Sequence, residues 1–318
     1  PFVLIPRELL SVSTAMSTKP IPVILDTDIG TDVDDVWALV FLLCCPELDL
    51  KLVTTSTGDT EYRARIAAKV LSELGREDIP IGIGLHLDDC PKTHDNWLGS
   101  YSLDDYAGEI ISDGVGAIGE HVLASSELPT ILGIGPLPNV SAALSRVPGI
   151  ANKARFVGMH GSLRKGYLSS HKPAREYNVR LHALSCRHVF ESKWQKTITP
   201  LDTCGNIYLD GDRFAQLKSA QNDAAKVVVG AHEGWLEGIT DWPAYKKLDM
   251  SQRSSILFDC VAVYLCFAHQ WLKMEELPVL VTEDGKTLID EAGADVNCAM
   301  DWLDQEKFLD FLTDRLLR

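Results

Sequence analysis

Five aspartates lie within ten residues of this chain, at Asp26, Asp28, Asp32, Asp34 and Asp35. Carboxylates packed so closely repel one another and raise one another's pKa unless a cation neutralises them. Because carboxylate oxygens are hard ligands, the pattern predicts Ca²⁺ or Mg²⁺ rather than zinc or copper. Aspartate is also common in turns and at helix N-caps. We therefore expect one or two of the five to be structural and the rest to form a cation site.

The residues on either side predict where these aspartates lie. Residues 21–25 are apolar and rich in β-branched side chains, which is typical of a buried strand. Residues 36–43 predict a helix that packs against a sheet. The aspartates would then follow the carboxyl end of a strand, where open α/β sheets bind their ligands.

The same alternation continues along the chain. We predict strands at 52–56, 79–83, 130–134, 154–159 and 196–201, with helices at 62–74 and 140–144. This order predicts an α/β fold, a single domain with a central, mostly parallel sheet flanked by helices around a Rossmann-like core. We expect the domain to cover residues 21–318, after an N-terminal extension over 1–20 that is in part disordered or not native. Residues 86–112 and 229–250 are predicted to be long loops over the active site.

Composition limits the classes of partner. A formal charge of −15 disfavours nucleic acid and anionic membranes and allows a small neutral substrate. The eight cysteines form no Cys-x-x-Cys pair, so we expect reduced thiols in a cytoplasmic protein. The apolar run 255–268 is too short to span a membrane, and we predict a fully buried helix there.

Two features far from the aspartates would face the same site. Asp259 lies inside that apolar run, and buried charges are paired or bound to metal. A salt bridge to an arginine is the alternative. Residues 133–139 lack the third glycine of a dinucleotide fingerprint, so we predict a rigid turn whose carbonyls face a ligand. Asn139 as a helix N-cap is the alternative there.

The motifs, in this order, resemble those of the inosine–uridine-preferring nucleoside hydrolase family over nearly the whole chain from residue 21. They are the aspartate-rich opening up to Ala38, Gly58-Asp59, Gly135-Pro136-Leu137-Pro138-Asn139, Glu176-Tyr177-Asn178 and Phe258-Asp259. The resemblance implies hydrolysis of purine or pyrimidine ribonucleosides to free base and ribose at a bound Ca²⁺. We expect the enzyme to be a homodimer or homotetramer.

The resemblance also implies roles for individual residues. Asp28, Asp35, Asp259 and the backbone carbonyl of Pro138 would bind Ca²⁺, and Asp28 would take a proton from the attacking water. The transition state would resemble an oxocarbenium ion. The implied substrate-binding residues are Asp32, Asp34, Asp59, Ser170, Glu176, Asn178 and Phe258.

This sequence departs from the family pattern at four places. The opening has two extra residues between Asp28 and Asp35, so Asp32 would either replace Asp34 as the ribose ligand or join the metal. Asp59 and Ser170 each stand where the family has asparagine. Phe258 replaces the histidine proposed to protonate the leaving base. The candidates for that role are His94, His171, His232 and Tyr245.

Two other functions fit parts of the pattern. Residues 26–31 loosely resemble the opening motif of haloacid-dehalogenase-type phosphatases, which use Mg²⁺ and release phosphate. A ribose- or nucleoside-binding protein without turnover is the non-enzymatic alternative, since Phe258 cannot act as an acid.

Overall fold

The computed structural model describes residues 19–239 and 249–318. Within these ranges ten strands form one sheet: Ile21–Thr27 (β1), Leu48–Thr55 (β2), Ile81–Ile83 (β3), Ile110–Ile111 (β4), Thr130–Gly133 (β5), Arg155–Met159 (β6), Lys196–Thr199 (β7), Leu272–Val281 (β8), Thr287–Ile289 (β9) and Ala294–Trp302 (β10). Their spatial order is β4-β3-β2-β1-β5-β6-β7-β10-β8-β9.

Most of this sheet is parallel. Every neighbouring pair from β4 across to β10 is parallel, and β8 is antiparallel to both β10 and β9. The chain builds outward from β1 to β4 and then returns to β5 on the other side of β1. This reversal leaves a crevice beyond the carboxyl ends of β1 and β5, the usual ligand site of such sheets. The predicted fold class is confirmed.

Twelve α-helices connect these strands in the described ranges: Asp34–Leu43 (α1), Thr60–Glu73 (α2), Asp95–Leu98 (α3), Gly114–Ala124 (α4), Pro138–Arg146 (α5), Tyr177–Leu181 (α6), Ala183–Glu191 (α7), Leu201–Cys204 (α8), Gly211–Ser219 (α9), Asp223–Gly238 (α10), Phe258–Leu265 (α11) and Gln305–Leu316 (α12). No helix in the described part of the chain is long and apolar enough to cross a bilayer.

The sheet separates two hydrophobic clusters. Strand β1 contributes Val23 and Leu25 to one and Ile24 to the other, because successive side chains point to opposite faces. Helices α1, α2, α10, α11 and α12 cover the first face, and α4, α5 and α7 cover the second. Strand β1 is therefore buried on both faces, as its continuous apolar sequence predicts.

Several predicted element boundaries were wrong. Helix α1 begins at Asp34, so two of the loop aspartates lie in its first turn. Residues 229–238 belong to α10 and are not a loop, because Val227, Val228, Ala231 and Trp235 form a helical apolar face. The fully buried helix predicted over 255–268 is shorter and runs only over α11, after buried residues that belong to no helix or strand. The predicted N-terminal extension lies almost wholly outside the described residues.

Candidate active site

The aspartate loop, residues 28–33 between β1 and α1, opens onto a cavity of about 250 Å³ beyond the carboxyl ends of β1, β5 and β6. Its lining combines carboxyl groups with apolar and aromatic side chains. The lining residues are Asp28, Thr31, Asp32, Asp34, Asp35, Ile134, Met159, Tyr167, Leu168, Glu176, Tyr177, Asn178, Ile256, Phe258 and Asp259.

Three carboxyl groups meet inside this cavity. Asp34 and Asp35 come from the first turn of α1 and Asp259 from the first turn of α11. Their carboxylate oxygens lie within 4.8 Å of one another, and each residue is at most 4% exposed. The closeness of the Asp34 and Asp259 carboxyls favours a proton on one of them, because two adjacent negative charges repel each other.

Burial is the main cause of the raised pKa values of these three carboxyl groups. It raises the pKa of Asp34, Asp35 and Asp259 well above the usual aspartate value, and the neighbouring carboxylates raise each pKa further. Burial also raises the pKa of Glu176 to about 7. A divalent cation would remove this penalty, and clustered carboxylate oxygens suit Ca²⁺ or Mg²⁺. The residues present therefore fit a hard cation.

The grouping differs in part from the expected set of ligands. Asp35 and Asp259 belong to this group, and its third member is Asp34, which the resemblance assigns to ribose with Asp32 as the alternative. Asp28 lines the same cavity outside this group. Pro138 begins α5 and is not among the described residues that line the cavity.

The backbone of the aspartate loop is held by a buried arginine. The Arg63 guanidinium donates to the carbonyls of Asp28, Ile29 and Thr57 and to the Thr31 hydroxyl. Its charge also opposes the burial that raises the pKa of Asp28. Sequence reasoning missed this residue, although Arg63 shares the face of α2 that carries the buried Ile66 and Ala67. That helical spacing was the available signal.

Two further side chains hold the part of the loop that is longer than the family pattern. The Thr93 hydroxyl lies 3.1 Å from the Gly30 carbonyl and 2.8 Å from the Thr31 carbonyl. The Trp235 indole N–H donates to the same Thr31 carbonyl at 3.3 Å. The loop is therefore held from α2, from α10 and from the segment before α3.

Glu176 and Asn178 are fixed by the ends of the central strands. The Glu176 carboxylate caps α6 by accepting the N–H groups of Asn178 and Val179, and it also accepts from Gly161. The Asn178 side chain donates to the carbonyls of Ile134 and Met159 at 2.9 and 3.1 Å. Both residues line the cavity, and these hydrogen bonds hold them in place there, so their contact with ribose stays a prediction.

The model of the family described as inosine-uridine preferring nucleoside hydrolase matches residues 23–310. The chain belongs to this family. The family prediction from the sequence is confirmed, and with it the prediction of an enzyme of the ribonucleoside hydrolase class.

Known relatives of this nucleoside hydrolase differ in their base preference. It is 29% identical to the non-specific ribonucleoside hydrolase RihC of Klebsiella pneumoniae over 208 residues. This alignment covers 62% of this chain and 66% of RihC. It is 28% identical over 229 residues to the pyrimidine-specific RihA of Citrobacter koseri, covering 68% and 72%. The aligned part of RihC thus spans about two thirds of its length.

Solved structures show the same fold. A plant nucleoside hydrolase, PpNRh1, superposes with a TM-score of 0.79 at 21% identity, over 94% of this chain and 99% of that one. A purine-preferring ribonucleoside hydrolase from Gardnerella vaginalis gives a TM-score of 0.76 at 21% identity, over 93% and 98%.

Four other predicted substrate residues have different surroundings in this nucleoside hydrolase. Asp32 and Phe258 line the cavity, and the Phe258 ring meets Tyr167 edge-on at 6.0 Å. Asp59 caps α2 by accepting from Tyr62 N–H, and it pairs with Lys92. Ser170 is exposed at the end of a turn. Neither Asp59 nor Ser170 is among the described lining residues, so a ribose contact by either stays a prediction.

The histidines considered as leaving-group acids lie elsewhere. His94 is buried beside the Thr93 hydroxyl, and His232 is buried beside the Met250 carbonyl. Burial lowers the pKa of both, so each ring is neutral at neutral pH. His171 is exposed, and none of the three is among the described lining residues. Tyr245 lies outside the described residues.

Asn139 ties the strand ends together and does not cap α5. Its side chain donates to Asp26 and to the Thr55 carbonyl and accepts from Leu85 N–H. The N-cap position is Leu137, so that alternative is wrong. Asp26 is fully buried, and burial raises its pKa to about 7. Asp26 lies within β1, and its hydrogen bonds join that strand to β2 and α5.

The substitution Asp259→Asn should raise the melting temperature in EDTA and lower it in Ca²⁺. In EDTA the folded protein binds protons at Asp259 that the unfolded chain, with a pKa of 3.8, releases. The wild type therefore loses stability as pH rises above about 4, and Asp259→Asn, which carries no charge, should melt increasingly higher than the wild type. With excess Ca²⁺ the order should reverse, because the variant lacks a ligand.

Melting temperatures of both proteins across this pH range, in EDTA and in Ca²⁺, test the expectation. A variant that melts below the wild type in EDTA at neutral pH would show that the Asp259 charge is already compensated within the protein.

Proposed function

We propose that this enzyme hydrolyses the N-glycosidic bond of ribonucleosides and releases free base and ribose. The observation that carries the proposal is the cluster of Asp34, Asp35 and Asp259 in a cavity whose remaining lining includes aromatic and apolar side chains. Carboxylates suit a polyhydroxylated sugar and a cation, and aromatic rings suit a planar base. The family match supports the same reaction.

A Ca²⁺ ion is the proposed cofactor. The proposed ligands are Asp28, Asp35, Asp259 and the Pro138 carbonyl, and the cluster adds Asp34 as a candidate. When bound, the ion would supply a water of lowered pKa and hold the 2′- and 3′-hydroxyls of ribose.

Asp28 is the proposed general base. Its carboxylate lies in the cavity, and burial raises its pKa, which makes it a stronger base than an exposed aspartate. Arg63 fixes the Asp28 backbone and so the direction of its side chain. As positive charge develops on the sugar ring, the surrounding carboxylates stabilise it.

Ribose would be oriented by side chains that are already held in place. Asn178 and Glu176 have fixed positions at the ends of β5 and β6, and Asp32 or Asp34 would complete the set. Such preorganisation places the anomeric carbon near the attacking water. The base would lie against Phe258.

The cellular setting is also part of the proposal. We place the enzyme in the cytoplasm as a homodimer or homotetramer, with a catalytic domain over residues 21–318. The eight cysteines are all free thiols, and most of them are buried. This supports a reducing compartment.

Incubation with a panel of ribonucleosides, followed by chromatography of the released base, tests the function directly. Release of base and ribose supports it. Phosphate release from a phosphorylated substrate would support the phosphatase alternative. Nucleoside binding in titration calorimetry without any base release would support a binding protein.

Asp28→Asn should lower kcat by at least 10²–10⁴-fold while the fold stays intact, because an amide cannot accept the proton of water. Steady-state kinetics and circular dichroism check both statements. The control is Asp212→Asn on the exposed side of α9, which should leave kcat unchanged. An Asp28→Asn enzyme that keeps a tenth of the wild-type kcat would rule out Asp28 as the base.

Phe258→His should raise activity on poor leaving groups more than on p-nitrophenyl riboside. A phenyl ring can stack on a base but cannot protonate it, whereas p-nitrophenolate leaves without a proton. The ratio of kcat/KM for inosine or uridine to that for p-nitrophenyl riboside measures the effect. An unchanged or smaller ratio in an active variant would show that this position does not limit departure of the base.

A further inference from the structure

A strained turn carries a leucine into the wall of the cavity. Residues Tyr167–Ser169 form a single 3₁₀ turn in which Leu168 has φ 55° and ψ 38°. Ser169 follows with φ 59°. Two consecutive residues with side chains therefore adopt the left-handed conformation, in which Cβ crowds the following carbonyl oxygen. The side chain of Leu168 lines the cavity.

Both the backbone conformation and the solvent exposure of Leu168 are unfavourable for a leucine. Left-handed backbone is disfavoured for leucine, and strained positions of this kind gather at ligand sites. The Leu168 residue is also 54% exposed, so it gains little from burial. Leu303 is 68% exposed, yet it is not among the positive-φ residues of the described chain. Leu168 alone among the exposed large hydrophobic residues described combines both costs.

The surrounding structure holds the turn in place. Leu168 N–H donates to the Gly205 carbonyl at 3.1 Å, and Gly166 N–H donates to the Ser170 carbonyl at 2.8 Å. The Tyr167 hydroxyl accepts Tyr177 N–H at 3.0 Å. The position of Leu168 is therefore imposed by bonds on both sides of the turn.

We propose that Leu168 is a base-binding residue that covers one side of the nucleobase, with Tyr167 and Phe258 beside it. A leucine side chain offers no hydrogen bond to ribose hydroxyls, whereas it can contact the apolar face or edge of a heterocycle. Closing a base against Leu168 buries the exposed side chain and offsets the cost of the turn. This inference rests on the proposed function, because it names the part of the ribonucleoside that contacts Leu168.

The test uses Leu168→Gly and Leu168→Asn, since both residues tolerate left-handed backbone. Each variant should raise KM for inosine and uridine about tenfold, the effect of losing a partly buried leucine. The inhibition constant of free ribose should stay unchanged, because ribose does not reach the side chain. Leu168→Gly should also melt about 1–3 °C above the wild type, because strain is relieved.

The same two substitutions at Leu303 are the control, and they should change neither KM nor the ribose inhibition constant. Nucleoside KM values within twofold of the wild type in both Leu168 variants would overturn the inference. An equal loss of nucleoside and ribose affinity would also overturn it, because the turn would then support the sugar site. A lower melting temperature of Leu168→Gly than of the wild type would show that the backbone of Leu168 is not strained.

Failure of the proposed function gives a different result. If the wild type releases base from no nucleoside, titration calorimetry with free adenine and uracil decides the role of Leu168. Weaker binding of the bases to Leu168→Asn than to the wild type supports the inference, and equal or absent binding overturns it.

Discussion

Mutual repulsion among buried carboxylates is the constraint on which this structure depends. Asp28, Asp34, Asp35 and Asp259 share one cavity, and each is nearly inaccessible to solvent. Desolvation and like charge both favour their protonated forms. The fold answers this in part by placing three of them at helix N-termini, where the helix dipole favours negative charge. The remaining cost is what a divalent cation would remove.

Other features of the site follow from that constraint. Helices α1 and α11 pack against each other, so their first turns bring residues distant in sequence to one point. Arg63 stays outside the cluster and bonds mainly to backbone carbonyls, so it fixes the loop without occupying a place for a cation. The apolar and aromatic part of the cavity reduces access of water to the carboxylates and strengthens their field.

Much of the architecture could be predicted from local pattern. The apolar run before Asp26, the apolar helix after Asp35 and the buried charge of Asp259 gave the central strand, the ligand edge of the sheet and two of the three clustered carboxylates. The place of Asp34 could not be predicted, because it depends on where α1 begins after a loop with two extra residues.

The position of a residue in a motif does not by itself show its contacts. Asp59 matches a family position, but its carboxylate caps α2 and pairs with Lys92. Helical spacing indicates that Arg63 is buried, but its role depends on contacts with a loop more than thirty residues earlier in the chain. The strain at Leu168 is a property of backbone dihedrals imposed by distant hydrogen bonds, so sequence alone does not reveal it.

A crystal structure determined with Ca²⁺ and ribose tests the central claim most directly. The account predicts one ion bound by oxygens of Asp35 and Asp259 at roughly 2.3–2.6 Å. The ribose 2′- and 3′-hydroxyls should lie beside it, and the map should show whether Asp34 binds the ion or the sugar. A map without ion density among Asp34, Asp35 and Asp259, or an ion bound elsewhere, would contradict the account.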